Sequence, residues 1–177
     1  MNPSAAFAVG FLLVIAPLYP LAKQAHRVTY DPPPQLMKNI MALLDACREF
    51  GIRPELGFSL TWQESNLNEK AIAKRWREVG GETVLVTTAR GMLQINPKYE
   101  AELVVRFLGW HPSNFDWSNP VHSARLGCAY LRWLIDRYGE WGGVCSYNAG
   151  WYRFEQLVKY GRRLPAETEN YYRKVLG

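Results

Sequence analysis

The segment Trp62-Gln63-Glu64-Ser65-Asn66-Leu67-Asn68 places one acidic side chain in what the sequence predicts to be a helix. Pro54 suits the first turn of that helix, and leucines recur at helical spacing: Leu56, Leu60 and Leu67. Glu64 therefore lies on the face that is otherwise apolar. Burial there would raise the pKa of its carboxyl group, because a nonpolar environment disfavours the charged form. An acid that stays protonated near neutral pH can act as a general acid.

The same pattern has a plainer interpretation. A partly buried glutamate is often paired with an arginine or lysine from elsewhere in the chain, and structural ion pairs also perturb pKa values. On the helix alone this interpretation is favoured. Residues further along the chain are needed to decide between the two.

The composition favours one compact domain with an N-terminal extension. The chain has 177 residues, 48% of them hydrophobic, and a formal charge of +5. Its pI of 9.2 favours an acidic partner, such as nucleic acid, anionic lipid or an anionic cell-wall polymer. The basic residues form no long block, so we expect no binding to nucleic acid.

The cysteines and histidines give no support for a metal site. Cys47, Cys128 and Cys145 show no short metal-type spacing, and the chain has 3 histidines. We therefore expect neither a metal nor another cofactor. Cys47 and Cys128 occupy apolar positions of predicted helices and are expected to be buried thiols. A disulfide between two of the three cysteines stays open.

The N-terminus carries an uncharged, apolar run over residues 5–22, near the lower length for a helix that spans a membrane. No lysine or arginine precedes the run and no good cleavage site follows it, which favours a retained anchor over a cleaved signal. A buried core helix is the alternative. We expect residues 1–30 to be a membrane anchor, or uncleaved signal, with its linker, and residues 31–177 to be the folded domain.

The charges beside the apolar run bear on the direction in which this anchor would cross the membrane. Lys23 and Arg27 follow the apolar run, and the positive-inside rule would place the domain in the cytoplasm. Any substrate outside the cytoplasm would require the domain to face the periplasm or the cell wall instead. We expect the latter orientation, or a place in a virion or another envelope assembly.

The remaining pattern predicts a mainly α-helical domain with one small β-hairpin. A proline-rich spacer at Asp31-Pro32-Pro33-Pro34 precedes it. Asn-Pro pairs predict two helix starts and glycines predict several ends. The predicted elements are a helix from Gln35 to Phe50, the helix with Glu64, a hairpin at Gly80-Gly81 and 83–88, a helix from Asn96-Pro97 to Leu108, one from Asn119-Pro120 to Gly139, a helical segment around Val144 that ends at Asn148-Ala149-Gly150, and a last helix over 166–176.

Four segments then occur in a recognisable order. They are Glu64-Ser65, Gly91-Met92-Leu93-Gln94-Ile95, Ser146-Tyr147-Asn148-Ala149-Gly150 and Glu167-Thr168-Glu169-Asn170-Tyr171. Together with Gly127 and Tyr130-Leu131, they resemble the lytic transglycosylase domain of the soluble-lytic-transglycosylase type, a relative of goose-type lysozyme. The resemblance covers roughly residues 36–175, and it depends on the order of the segments, since each alone is a short pattern.

The resemblance implies a lysozyme-like fold with a groove for the glycan strands of peptidoglycan. It implies that Glu64 is the sole catalytic acid and base, and that Ser65 and Gln94 support the groove and the substrate. Further site residues that it implies are Tyr147 and Asn148, beside the scissile bond, and Tyr171, near the catalytic glutamate. Without the resemblance, core packing for the two tyrosines and a helix C-terminal cap for Asn148 are preferred.

The resemblance also implies the reaction. Glu64 would protonate the bond between MurNAc and GlcNAc, and then take the proton of the 6-hydroxyl as a 1,6-anhydro-MurNAc end forms. A lysozyme-type hydrolysis, with water held by Asp116, Glu82 or Glu78, is the alternative within the same class. The other two hypotheses are a peptidoglycan-binding module without activity and a small structural membrane protein.

Overall fold

The computed structural model describes residues 32–177, and residues 34–177 form one compact unit. The predicted anchor and linker of residues 1–30 lie outside the described residues. Within the described range, no helix combines the length and apolar character that crossing a membrane requires. The elements in chain order are α1 (Pro34–Phe50), α2 (Pro54–Ser65), β1 (Ile72–Val79), β2 (Glu82–Arg90), α3 (Pro97–Leu103), a π-helix (Val104–Leu108), a short 3-10 helix (Pro112–Asn114), α4 (Pro120–Ala149), α5 (Trp151–Lys159) and α6 (Ala166–Leu176).

The first two helices follow the sequence prediction closely. The apolar stripe of α1 is buried, and Gly51 ends the helix with a φ of 62°. Pro54 opens α2 as expected. The helix ends earlier than the leucine spacing suggested, because Asn66 and Leu67 both adopt left-handed backbone conformations. Leu67 is nevertheless fully buried, so its apolar character was informative although its helical assignment was wrong.

The hairpin is longer than predicted. Gly80 and Gly81 form its turn, both with positive φ, and β1 pairs antiparallel with β2. The pairing continues to Ile72 and Arg90, with a bulge between Arg75 and Trp76. The polar, charged sequence of β1 carries no alternating pattern, so its strand depends on pairing with the β-branched β2.

Two Asn-Pro pairs start helices, as the sequence predicted. The Asn96 side chain accepts from the Lys98 amide and the Asn119 side chain from the Val121 amide, both at 2.9 Å. The last turn before Leu108 is a π-helix rather than an α-helix. In α4, Gly139 has φ 72° and ψ 173°, which breaks the helix at the residue expected to close it.

Parts of the long helix and its surroundings differ from the prediction. The apolar residues of the α4 sequence, including Val121, Ala124, Cys128 and Leu131, predict one buried stripe. Val121 is instead 49% exposed, whereas the other three are buried. The helix α5 was not predicted, although Trp151, Phe154, Leu157 and Val158 recur at helical spacing; of these, Phe154 is buried.

The three cysteines are buried and free. The Sγ atoms of Cys47 on α1 and Cys128 on α4 are 4.0 Å apart, about twice the length of a disulfide bond. The sequence left a disulfide between two of the cysteines open. The structure has no such bond among the described residues, and Cys47 and Cys128 are thiols in van der Waals contact.

Close helix contacts depend on glycine. A Cβ at Gly57 on α2 would overlap the Cys47 sulfur, and a Cβ at Gly127 on α4 would overlap the Leu93 side chain. Because these glycines have no side chain, α1 packs closely against α2, and the segment before α3 packs closely against α4.

We predict that Gly57→Ala lowers the free energy of unfolding by up to about 2 kcal/mol, because overpacking costs about 1–3 kcal/mol and helix propensity returns about 1. Adding Cys47→Ala removes the overlapping sulfur. The double variant should therefore lose less free energy of unfolding than the two single variants lose together. Urea unfolding of the full chain measures the coupling. Cys128→Ala is the matched control, and coupling of equal size to Cys128 would contradict the assigned contact.

Candidate active site

Glu64 lies in the last turn of α2, where the Tyr171 hydroxyl of α6 donates a hydrogen bond to its Oε1. Glu64 is partly accessible as a residue, and protein surrounds most of its carboxyl group. Burial raises the pKa of this carboxyl to about 7, and the hydrogen bond from Tyr171 opposes part of that rise. A raised pKa near neutrality suits a group that must both donate and accept a proton.

Tyr171 is a hydrogen-bond donor that stays protonated. It is buried at 6% exposure on α6, and burial together with the charge of Glu64 raises its pKa well above the usual value. Loss of its proton would place two negative groups in contact. The tyrosine therefore orients the carboxyl group and does not compete with it for the role of acid.

Tyr147 lies near the same carboxyl group but bonds elsewhere. Its hydroxyl donates to the Leu93 carbonyl at 2.7 Å. Burial raises its pKa well above the usual value, and the charge of Glu64 adds to that rise. Tyr147 thus connects the end of α4 to the segment before α3, with its ring beside the Glu64 site.

Ser65 fastens the end of α2 to that same segment. Its hydroxyl lies 2.6 Å from the Met92 carbonyl oxygen and 3.3 Å from that of Thr61. Because Ser65 follows Glu64 directly, this bond fixes the turn of helix that carries the carboxyl group. The geometry gives Ser65 a positioning contact rather than a place in the open groove.

The segment from Gly91 to Ile95 forms a tight loop closed by a bridge between Arg90 and Ile95. Gly91 has a φ of 78°, and a Cβ there would lie 2.6 Å from the Ser123 hydroxyl oxygen and 2.8 Å from the Trp117 carbonyl oxygen. Only glycine fits both the backbone conformation and the space.

Gln94 occupies the left-handed region in this loop, with a φ of 49°. Its Nε2 donates to the Gly91 carbonyl at 2.8 Å and to the Ala71 carbonyl at 3.3 Å. Its Oε1 is buried and has no hydrogen-bond partner within residues 32–177. A buried acceptor without a protein partner is costly, and such atoms are often kept for a ligand or water.

Asn148 joins the end of α4 to α6. Its Oδ1 accepts a hydrogen bond from the Thr168 hydroxyl at 2.9 Å. Asn148 is not the expected helix cap, because it lies within α4 and the residue that caps the helix is Gly150, with a φ of 82°. Asn148 therefore has a structural contact and a place beside the site.

A cavity of about 530 Å³, here called the aromatic cavity, adjoins these residues. Gln94, Tyr147 and Asn148 line it, whereas Glu64, Ser65 and Tyr171 are not among its lining residues. Tyr130, which belongs to the family resemblance, also lines it. The sequence did not single out the other large or charged side chains of the lining: Tyr99, Glu102, Arg106, Phe107, Trp133, Trp151, Tyr152 and Arg153. Three of these belong to α5, the helix that was not predicted.

The carboxylates considered for a water-holding role have other surroundings. Asp116 accepts from the amide and hydroxyl of Ser118, and these bonds lower its pKa. Glu78 and Glu82 are exposed beside the hairpin turn. In the described part of the chain, none of the three has a contact with Glu64 or lines the aromatic cavity.

A family model described as "Transglycosylase SLT domain" matches residues 41–170. The chain is also similar to the X-ray structure of the lytic transglycosylase Slt from Pseudomonas aeruginosa, determined for an inactive mutant in which a glutamate is replaced by glutamine. No curated protein sequence matches the chain.

The structural likeness has a TM-score of 0.60 at 22% sequence identity and covers 98% of this chain. It covers 28% of the Pseudomonas protein, so the chain spans little more than a quarter of that length. The likeness shows the fold. The mainly α-helical, lysozyme-like prediction with a small hairpin is confirmed for the described residues, and the resemblance drawn from the four sequence segments is confirmed by the family match.

We predict that the Glu64 carboxyl makes stability depend on pH. Its pKa in the folded protein, about 7, lies above the ordinary 4.5, so its contribution to stability is present below pH 4.5 and is lost as pH rises through 7. Glu64→Gln removes that loss. Relative to wild type, the variant should therefore gain on the order of 3 kcal/mol between pH 4 and pH 8.

Urea unfolding of the full chain across this pH range measures the effect. Glu82→Gln, at an exposed carboxylate of the hairpin, is the control and should show no such gain. Tyr171→Phe should move the transition to higher pH, because it removes the bond that lowers the Glu64 pKa. A stability difference between wild type and Glu64→Gln that is constant with pH would show that Glu64 has an ordinary pKa.

Proposed function

Because the chain belongs to the transglycosylase SLT domain family, we propose that it is an enzyme that cleaves the glycan strands of peptidoglycan as a lytic transglycosylase. One observation carries the mechanism: a carboxyl group with a pKa of about 7, hydrogen-bonded to Tyr171 and close to Tyr147, which lines a cavity rich in aromatic side chains. The bond proposed for cleavage is the β-1,4 bond between MurNAc and GlcNAc.

In the first step, protonated Glu64 donates its proton to the glycosidic oxygen. The bond from the MurNAc anomeric carbon to that oxygen breaks, and GlcNAc leaves as a neutral alcohol. The acetamido group of MurNAc supports the cationic anomeric carbon, as in the substrate-assisted glycosidases. The Tyr171 hydroxyl stabilises the Glu64 carboxylate that this step produces.

In the second step, the Glu64 carboxylate takes the proton of the MurNAc 6-hydroxyl. The 6-oxygen then bonds to the anomeric carbon, closes a 1,6-anhydro ring and restores the acid. No water is consumed, and one carboxyl group acts as acid and then as base. A pKa near neutral serves both directions of transfer, because neither protonation state is strongly disfavoured.

The remaining site residues receive supporting roles in this proposal. Ser65 fixes the turn of α2 that carries Glu64, and Tyr147 holds the loop that contains Gln94. The unpartnered Oε1 of Gln94 is an acceptor for a sugar hydroxyl or amide. Asn148 lines the same cavity and offers its amide nitrogen to the substrate.

The test is mass spectrometry of the muropeptides that the full chain releases from purified peptidoglycan. We expect anhydro products, which are lighter than hydrated ones by one water, about 18 Da. Glu64→Gln should reduce release by about a thousandfold or more, since it cannot donate the proton. Tyr160→Phe, at an exposed tyrosine, is the control.

Hydrated products would instead identify a lysozyme-type hydrolase of the same bond. Equal release by wild type and Glu64→Gln would exclude Glu64 as the acid. No release by wild type from intact sacculi would leave the non-catalytic peptidoglycan-binding module as the function.

For the cellular setting, we propose that residues 5–22 anchor the chain in a membrane with its domain facing the cell wall, in a virion or an envelope secretion apparatus. The uncharged run and the proposed wall substrate support this. Fractionation of cells that express the full chain should recover it with the membranes and release it with detergent. A variant in which Leu12 and Leu13 are replaced by Asp should remain soluble, and equal distribution of the two forms would contradict an anchor.

A further inference from the structure

The aromatic cavity presents ring faces and ring edges to a ligand. Tyr130 stacks on Trp133 with centroids 6.0 Å apart, and Trp151 meets Trp133 edge-on at 6.0 Å. Such a surface suits the C–H faces of sugar rings. It accounts for sugar binding in general, but it does not distinguish one sugar of the strand from the other.

Arg106 adds a cation held in a defined place. It belongs to the π-helix, a local widening that is frequent at functional sites. Its guanidinium carbon lies 4.8 Å from the Trp133 ring centroid and 5.2 Å from that of Phe107. The two rings hold the planar group by cation-π attraction, which limits its freedom before any ligand binds. Arg153, in the first turn of α5, lines the same cavity.

These two arginines differ from most others in the described part of the chain. Arg53, Arg90 and Arg125 each form a two-bond pair with a glutamate. Arg106 and Arg153 form no ion pair within residues 32–177. Glu102 also lines the cavity, yet its carboxylate does not pair with either of them. The cavity therefore has two cations against one anion and two guanidinium groups without a protein carboxylate.

We propose that Arg106 and Arg153 bind carboxylates of the peptide stem carried by the muramic sugar, so that the cavity selects strands with acidic stems. This inference rests on the proposed function. GlcNAc is neutral, whereas the stem attached to MurNAc carries carboxylates beside the sugar. A planar guanidinium matches a carboxylate through two parallel hydrogen bonds, and its ring partners leave those donors available.

The test uses two tetrasaccharides of alternating GlcNAc and MurNAc that differ only in charge. In one, each MurNAc carries an alanyl-glutamate stem with free carboxyls; in the other, those carboxyls are carboxamides. Calorimetry measures their binding to the full chain with Glu64→Gln, which does not cleave them under the proposed mechanism. Wild type provides the cleavage rates of the same two compounds.

We expect the acidic compound to bind roughly tenfold more tightly than the carboxamide, with a ratio that shrinks as salt is raised. Adding Arg106→Gln and Arg153→Gln should bring the ratio near one. Arg106→Lys should keep part of the preference, since it retains the charge without the planar donor pair. Arg48→Gln, an exposed arginine of α1 outside the cavity, is the charge-matched control.

The ratio separates recognition from damage to the fold, because a structural defect weakens both compounds alike. Equal binding of the two compounds to the Glu64→Gln chain, or a preference that survives loss of both arginines, would overturn the inference. Cleavage of both compounds at one rate by wild type would leave the proposed function standing and remove the selectivity. Binding that depends on the carboxylates, without cleavage by wild type, would support the selectivity and contradict the proposed function.

Discussion

The hydrogen bond from Tyr171 to Glu64 joins residues that are 107 positions apart, and the pairing of acid and tyrosine at the site depends on it. It forms only when α6 packs against α2, at the end of the chain's path through the hairpin and α4. A carboxyl group in this place loses hydration, which raises its pKa to about 7. The hydrogen bond from Tyr171 offsets part of that cost, and Glu64 stays partly accessible.

Small residues at close contacts make this arrangement possible. Gly91 accommodates Ser123, and Gly127 accommodates Leu93, so the loop from Gly91 to Ile95 lies directly on α4. That loop in turn receives the Ser65 and Tyr147 hydroxyls through its backbone carbonyls. Side chains of ordinary size at the glycines would move the loop away from Glu64. The sequence segments that identify the family thus contain glycines that permit close packing of the backbone, as well as the residues proposed for catalysis.

The groups proposed for chemistry and those proposed for selectivity come from different kinds of structure. Glu64, Ser65, Tyr147 and Tyr171 lie on regular helices whose ends are fixed by hydrogen bonds. The cations of the aromatic cavity come from the π-helix and from the start of α5. The catalytic centre therefore lies on helices, while the residues proposed for selectivity lie on a locally irregular element. Substitutions that change selectivity can then occur without moving the catalytic residues.

The sequence by itself determined the helices whose signals are local, and the order of the segments that identify the family. Proline and asparagine set the starts of α2, α3 and α4, and Gly51 and Gly139 interrupt helices because their conformations are intrinsic to glycine. Tertiary structure alone decided the rest. β1 is a strand because β2 pairs with it, α5 is held by a single buried side chain, and Cys47 meets Cys128 only when α1 packs on α4. The aromatic cavity and its two arginines carry no local pattern, because a cavity is defined by what distant segments leave between them.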